Sequence, residues 1–145
     1  MGADGIATSP LANAIAAEEP ALVAPLIPVG YSRNLMDFPG TLNVRPASLV
    51  AYARDIVESF IHWGSRRILF INGHAGNVAY LSALASDLEA EHGVKCAQID
   101  WWRFIQPLAS GVSRLPRGNV TWPFTRCRSS SCRAVTNISG QWSVV

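Results

Sequence analysis

No apolar run in this 145-residue chain approaches the ~20 residues needed to cross a bilayer, so a spanning helix is excluded. The first residues carry no basic stretch followed by an apolar core, the pattern of a secretory leader, and a cytoplasmic protein is expected. Charge is scarce: 15% of residues are charged against 49% hydrophobic, which argues against both disorder and electrostatically driven binding. Cysteine is also scarce. Cys96, Cys127 and Cys132 form an odd set without framework spacing, which reads as free thiols in a reducing compartment. Cys127 and Cys132 have no second pair or matching histidine, so they do not make a structural zinc site. The last absence is local. From Trp101 onward there is no carboxylate, and six arginines give +6; up to Asp100, ten acidic and six basic residues give −4.

What is present points to an α/β domain. Three apolar runs read as strands: Leu22–Ile27, Arg67–Ile71 and Val94–Ile99. Pro25 and Pro28 mark the first as an edge or early-ending strand. Between them lie helical patterns. Leu49, Tyr52, Ala53, Ile56, Phe60 and Trp63 form one stripe ended by Gly64, and Tyr80, Leu81, Leu84 and Leu88 form another ended by Gly93. His62 and His92 sit where a cation favours the helix dipole. A shorter helix is expected over Pro10–Ala17 with Ser9 as its cap. Alternating helices and strands imply parallel pairing through right-handed crossovers. Residues 1–112 read as one α/β domain and 113–145 as an irregular, arginine-rich tail. That tail matches no nucleic-acid module, so neither nucleic acid nor membrane is an expected partner.

The most informative residue is His74. It lies in Ile71-Asn72-Gly73-His74-Ala75-Gly76-Asn77, just behind a buried strand and ahead of a helix, at the edge where open α/β sheets hold ligands. Gly73 and Gly76 permit positive φ or close backbone approach, and Asn72 and Asn77 can lock the turn or orient a ligand. The imidazole can bind a metal, move a proton or fill space. A second reading is a non-catalytic module in which Gly73 to Asn77 holds an anionic small molecule at a helix N-terminus, although P-loop and dinucleotide spacings are missing. The long loop Gly30 to Thr41 follows the first strand, and loops of that length are more often functional than decorative.

Taken together, residues from about 2 to 106 resemble the creatininase (creatinine amidohydrolase) family. Gly30-Tyr31-Ser32 with Asp37-Phe38-Pro39-Gly40-Thr41 is similar to the family loop ending in F-P-G-T. Ile71 to Asn77 is similar to its N-G-H-G-G-N signature, with Ala75 replacing a glycine. Met1 to Gly5 resembles the end of its stretch E-x-H-G-x-H-L-P-L-G-x-D. The resemblance implies a layered α/β/α fold with a mainly parallel sheet, assembled into homo-oligomers. It also implies a metal-dependent hydrolase of non-peptide, cyclic or open, amide C–N bonds in a small-molecule substrate. The divalent metal would be zinc, with manganese or iron as alternatives. By motif position Asp4 and His74 match metal ligands, while Asn72, Gly73, Gly76, Asn77, Tyr31 and Ser32 order the turn or border the substrate.

The departures are specific. The E-x-H-G portion and the later H-A-G-E-x-E-T-S segment have no counterpart, so no catalytic residue is assigned. Gly76 stands where creatinine-hydrolysing members carry glutamate, which disfavours creatinine as substrate. With the charge break at Asp100, this gives the expectation of a family member truncated at both ends and carrying an unrelated tail.

Overall fold

A computed structural model describes residues 3–18, 21–103 and 142–145. The elements run α1 (Ala3–Glu18), β1 (Ala21–Val23), α2 (Pro46–His62), β2 (Arg67–Asn72), α3 (Val78–His92), β3 (Lys95–Asp100) and β4 (Trp142–Val144). The sheet order is β1-β4-β2-β3, and every pairing is parallel.

β2 shows why this sequence makes a layered fold. Ile68 and Phe70 pack with Ala53 and Val57 of α2 and with Leu81, Leu84 and Leu88 of α3. Leu69 and Ile71 point the other way, onto Ala12 of α1 and Val144 of β4. Because neighbouring strand residues face opposite sides, a strand buried on both faces must be apolar throughout, as the run Ile68–Ile71 is. The result is one helix, a parallel sheet, then two helices.

Several sequence expectations need correction. The first helix does not start at Pro10; it begins at Ala3 and carries Pro10 inside it. The alanine-rich stretch after Pro10 favours helix, and before it the buried Thr8 hydroxyl bonds the Gly5 carbonyl within the same helix. β1 stops at Val23 rather than Ile27, because Pro25 cannot donate to a ladder and Pro28 repeats the restriction. It does lie at the sheet edge. The buried face of α2 is Leu49, Ala53 and Val57; Tyr52 is 54% and Trp63 79% exposed, so the stripe is rotated from the expected one. Gly93 ends α3 in the left-handed conformation at φ 63°, as its position implied.

β4 was not foreseen. Its three residues occupy an internal position, with Ser143 and Val144 fully buried and the Ser143 hydroxyl 2.7 Å from that of Ser65. Residues 104–141, including Cys127 and Cys132, lie outside the described set.

Candidate active site at the carboxyl edge of the sheet

β2 ends at Asn72, and the chain turns through Gly73 and His74 into a single 3-10 turn, Ala75–Asn77, that feeds α3. Asn72 organises this turn. It is 2% exposed, and its Nδ2 donates to Asp100 Oδ1 at 2.9 Å. A carboxylate can only accept, so the amide carbonyl of Asn72 must face the other way. There it accepts the His74 N–H at 3.1 Å and Asn77 Nδ2 at 3.4 Å. Asn77 is oriented in turn, and its Oδ1 accepts the Tyr31 N–H at 2.9 Å. A chain of fixed amide directions thus runs from β3 through the His74 turn to the loop after β1. Asp100 is held by Gln98 Nε2 at 2.9 Å and by Arg103 Nε at 3.2 Å.

The glycines act through space rather than through backbone handedness. Neither Gly73 nor Gly76 has a positive φ; among the described glycines that belongs to Gly40, Gly64 and Gly93. At Gly76 a Cβ would strike the Tyr31 carbonyl oxygen and come within 3.0 Å of the His74 ring. At Gly30 it would lie 2.6 Å from the Asn77 amide. Two bare backbones therefore let the 30–41 loop close onto the turn. Tyr31 adds an edge contact with Tyr80 at 5.3 Å, and the Ser32 N–H donates to Asn43 Oδ1 at 2.7 Å.

His74 is half-buried and lines a cavity of about 540 Å³ shared with Asn72, Gly73, Asn77 and Ser32. That volume falls within the ordinary range of small-molecule sites. Gly76 and Tyr31 stand behind the cavity, supporting the His74 ring and Asn77. Gly5 is on the wall, which brings the start of α1 to the same space; the Asp4 side chain lies outside the described residues. Sequence reasoning missed Asp100 and Asn43. Asp100 stands directly opposite Asn72 in the β2–β3 register, a pairing visible only once the strands are aligned.

The metal question turns on donor count. Among the described cavity residues His74 is the one strong ligand, with neutral asparagine amides beside it. A catalytic zinc needs about three protein ligands, so these residues alone do not complete a centre. Glu58, Glu91 and His92 do converge, but at the far ends of α2 and α3. α3 alone spans about 22 Å, which separates that group from His74. Arg54 already sits there, 2.6 Å from Glu91 and 3.3 Å from Glu58, and its pKa is raised chiefly by the hydrogen bond to Glu91.

The family model described as creatinine amidohydrolase matches residues 1–121, further than the motif resemblance reaches. The chain belongs to the creatininase family. Creatinine amidohydrolase of Pseudomonas putida is 25% identical over 134 residues, covering 84% of this chain and 51% of that protein. The mycofactocin precursor peptide peptidase of Mycolicibacterium smegmatis is 39% identical over 75 residues, covering 52% of this chain and 30% of that enzyme. A crystal structure of creatininase superposes with a TM-score of 0.65 at 26% identity, again over 84% of this chain and 51% of that one. Zn–Zn and Mn forms of creatininase match at the same TM-score. The chain thus spans about half the length of the creatininases it matches.

Proposed function

We propose that this chain is a creatininase-type hydrolase of amide C–N bonds by descent, retaining Asp4 and His74 as part of a divalent-metal site. The observation that carries the reading is the placement of His74. It sits on the cavity at the carboxyl edge of the sheet, in the family signature, with Gly5 of the Asp4 segment on the same wall. Zinc is the first candidate metal and manganese or iron the alternatives, in keeping with the Zn–Zn and Mn forms of the structural relatives. The substrate class is a small molecule with a non-peptide amide. The mycobacterial relative's name adds peptide bonds to the range the fold serves. With His74 the one strong ligand among the described cavity residues, this chain by itself is weakly active or inactive. Residues 1–112 carry the catalytic unit, and Trp142–Val144 returns to complete its sheet as β4. A cytoplasmic homo-oligomer completes the reading, and no helix among the described residues is long and apolar enough to cross a membrane.

The alternative of an anion held by the turn has less support. The His74 N–H is taken by Asn72, and the Asn77 N–H by the His74 carbonyl at 3.0 Å, which removes two of the donors an anion would use.

Metal analysis tests the proposal. The protein and its His74→Ala variant are dialysed against metal-free buffer and assayed for zinc, manganese and iron. The expected result is less than about one tightly held ion per chain in the parent and none in the variant, because a site short of ligands binds weakly. Metal that survives in His74→Ala overturns the assignment of this residue.

A further inference from the structure

The register of β2 and β3 ends with Asn72 opposite Asp100, and the next residues along the two chains are Gly73 and Trp101. There a side chain takes over from the ladder. The Trp101 indole Nε1–H donates to the Gly73 carbonyl oxygen at 3.3 Å. Trp101 is partly buried, and Trp102 meets its ring edge-on with the centroids 6.5 Å apart. Gly73 and His74 line the cavity, whereas Trp101 stands behind them and does not.

The bond matters because of the peptide it holds. The Gly73–His74 peptide has its N–H end on His74, and that group donates to Asn72 Oδ1 at 3.1 Å. Its carbonyl end is the one gripped by Trp101. A peptide unit is planar, so a bond at each end fixes its tilt. On the other side of the His74 Cα, the His74 carbonyl accepts the Asn77 N–H at 3.0 Å. Both peptides flanking this Cα are therefore held, at φ −133° and ψ 131°, and the direction of its Cβ follows from them. Gly76 supports the ring from below, since a Cβ there would come within 3.0 Å of it.

Two of these bonds are made inside the segment 72–77. The third comes from a residue 28 positions away, and it falls on the glycine. Without a Cβ, Gly73 has the widest backbone freedom in the turn. It is the joint at which the turn could swing on the end of the strand, and Trp101 closes that joint.

We propose that Trp101 is a positioning residue: its indole N–H locks the Gly73 joint and so aims the His74 imidazole into the cavity. The inference rests on reading His74 as the working side chain of that cavity, and it holds whatever the ring binds. An indole suits the task because its body packs as an apolar ring while its single polar atom can only donate. Loss of that one donor is expected to raise the population of turned-away imidazole about fivefold.

The test is Trp101→Phe in the full chain, which keeps an aromatic ring and deletes the donor, with Trp102→Phe as the control on the neighbouring indole. No metal is added. His74 is followed by its imidazole NMR signals and by its rate of modification with diethyl pyrocarbonate, mapped by mass spectrometry. Trp101→Phe should shift or broaden the signals and raise the modification rate about fivefold, in step with the turned-away population. Trp102→Phe should leave both as in the parent. On the unmutated chain, the Trp101 indole N–H should exchange with deuterium at least about tenfold more slowly than that of exposed Trp63, a readout that does not need the variant to fold. An unchanged His74 in folded Trp101→Phe, the same change in both variants, or a Trp101 indole exchanging as fast as that of Trp63 overturns the proposal. Metal retained by His74→Ala would remove this histidine as a ligand and leave all of these outcomes standing, so the two failures are told apart.

Discussion

Asn72 and Asp100 face each other across the ends of β2 and β3, one 2% and the other 7% exposed, joined by a 2.9 Å hydrogen bond. The pair converts a charge on one strand into a fixed direction for the His74 turn on the next. Asn72→Ala removes the acceptor used by His74 and Asn77 as well as the donor to Asp100. A loss of about 2–3 kcal/mol is expected, read by chemical denaturation. Asp100→Asn should be milder, about 1 kcal/mol, because its oxygen can still accept from Asn72 and Gln98 and only the contact with exposed Arg103 is lost. Equal losses in the two variants would show that the direction of the Asn72 amide does not matter.

Gly76→Ala should damage the site more than the fold. Its added methyl meets the Tyr31 carbonyl and the His74 ring, so the 30–41 loop must retreat or the imidazole must turn. Overpacking of this kind costs about 1–3 kcal/mol. Gly64→Ala is the comparison: its φ of 95° makes alanine strained, but nothing crowds the space. Both variants should lose stability, and only Gly76→Ala should alter the NMR signals of Tyr31 and His74.

Much of this architecture was legible before any coordinates, and the reason is local. β2, β3, α2 and α3 declare themselves by apolar runs, helical spacing and a glycine stop, all within short windows. The His74 turn was readable because glycines and amides cluster there. What escaped depends on residues distant in the chain. β4 is three residues long with a buried serine at its centre, a pattern with no period; it is a strand because β1 and β2 flank it. Asp100 gains its role only from the register that sets it against Asn72. Pro10 misled because a proline usually opens a helix, and here the helix was already under way.

Cys96 should be a poor nucleophile. Its thiol pKa is pushed up to about 11, first by burial and second by the nearby Glu89 carboxylate, which also accepts the Cys96 N–H at 2.8 Å. The thiolate is thus disfavoured in the folded chain relative to the unfolded one. Stability from this group is full below about pH 9 and falls as pH rises from there through about 11, since the unfolded state loses its proton first. Alkylation at pH 8 should be slow in the native protein and fast in denaturant. Rapid native labelling of Cys96, mapped by mass spectrometry, would contradict the burial described.

The internal position of β4 makes the strongest demand on the fold. Among the described strands β1 pairs with β4 alone, so losing β4 detaches β1 from the sheet. Val144→Ala leaves a cavity at a residue 1% exposed, with an expected cost of about 2–3 kcal/mol. Ser143→Ala strands the buried Ser65 hydroxyl and should cost about 1–2 kcal/mol. Val144→Asp places a charge between two layers and should abolish cooperative unfolding altogether. Hydrogen exchange locates the effect. The N–H groups of Ala24 and Ile71, which bond to Val144 and Val145, should lose protection before those of β3 do. Unchanged protection at Ala24 and Ile71 in Val144→Ala would mean that the sheet closes without this strand.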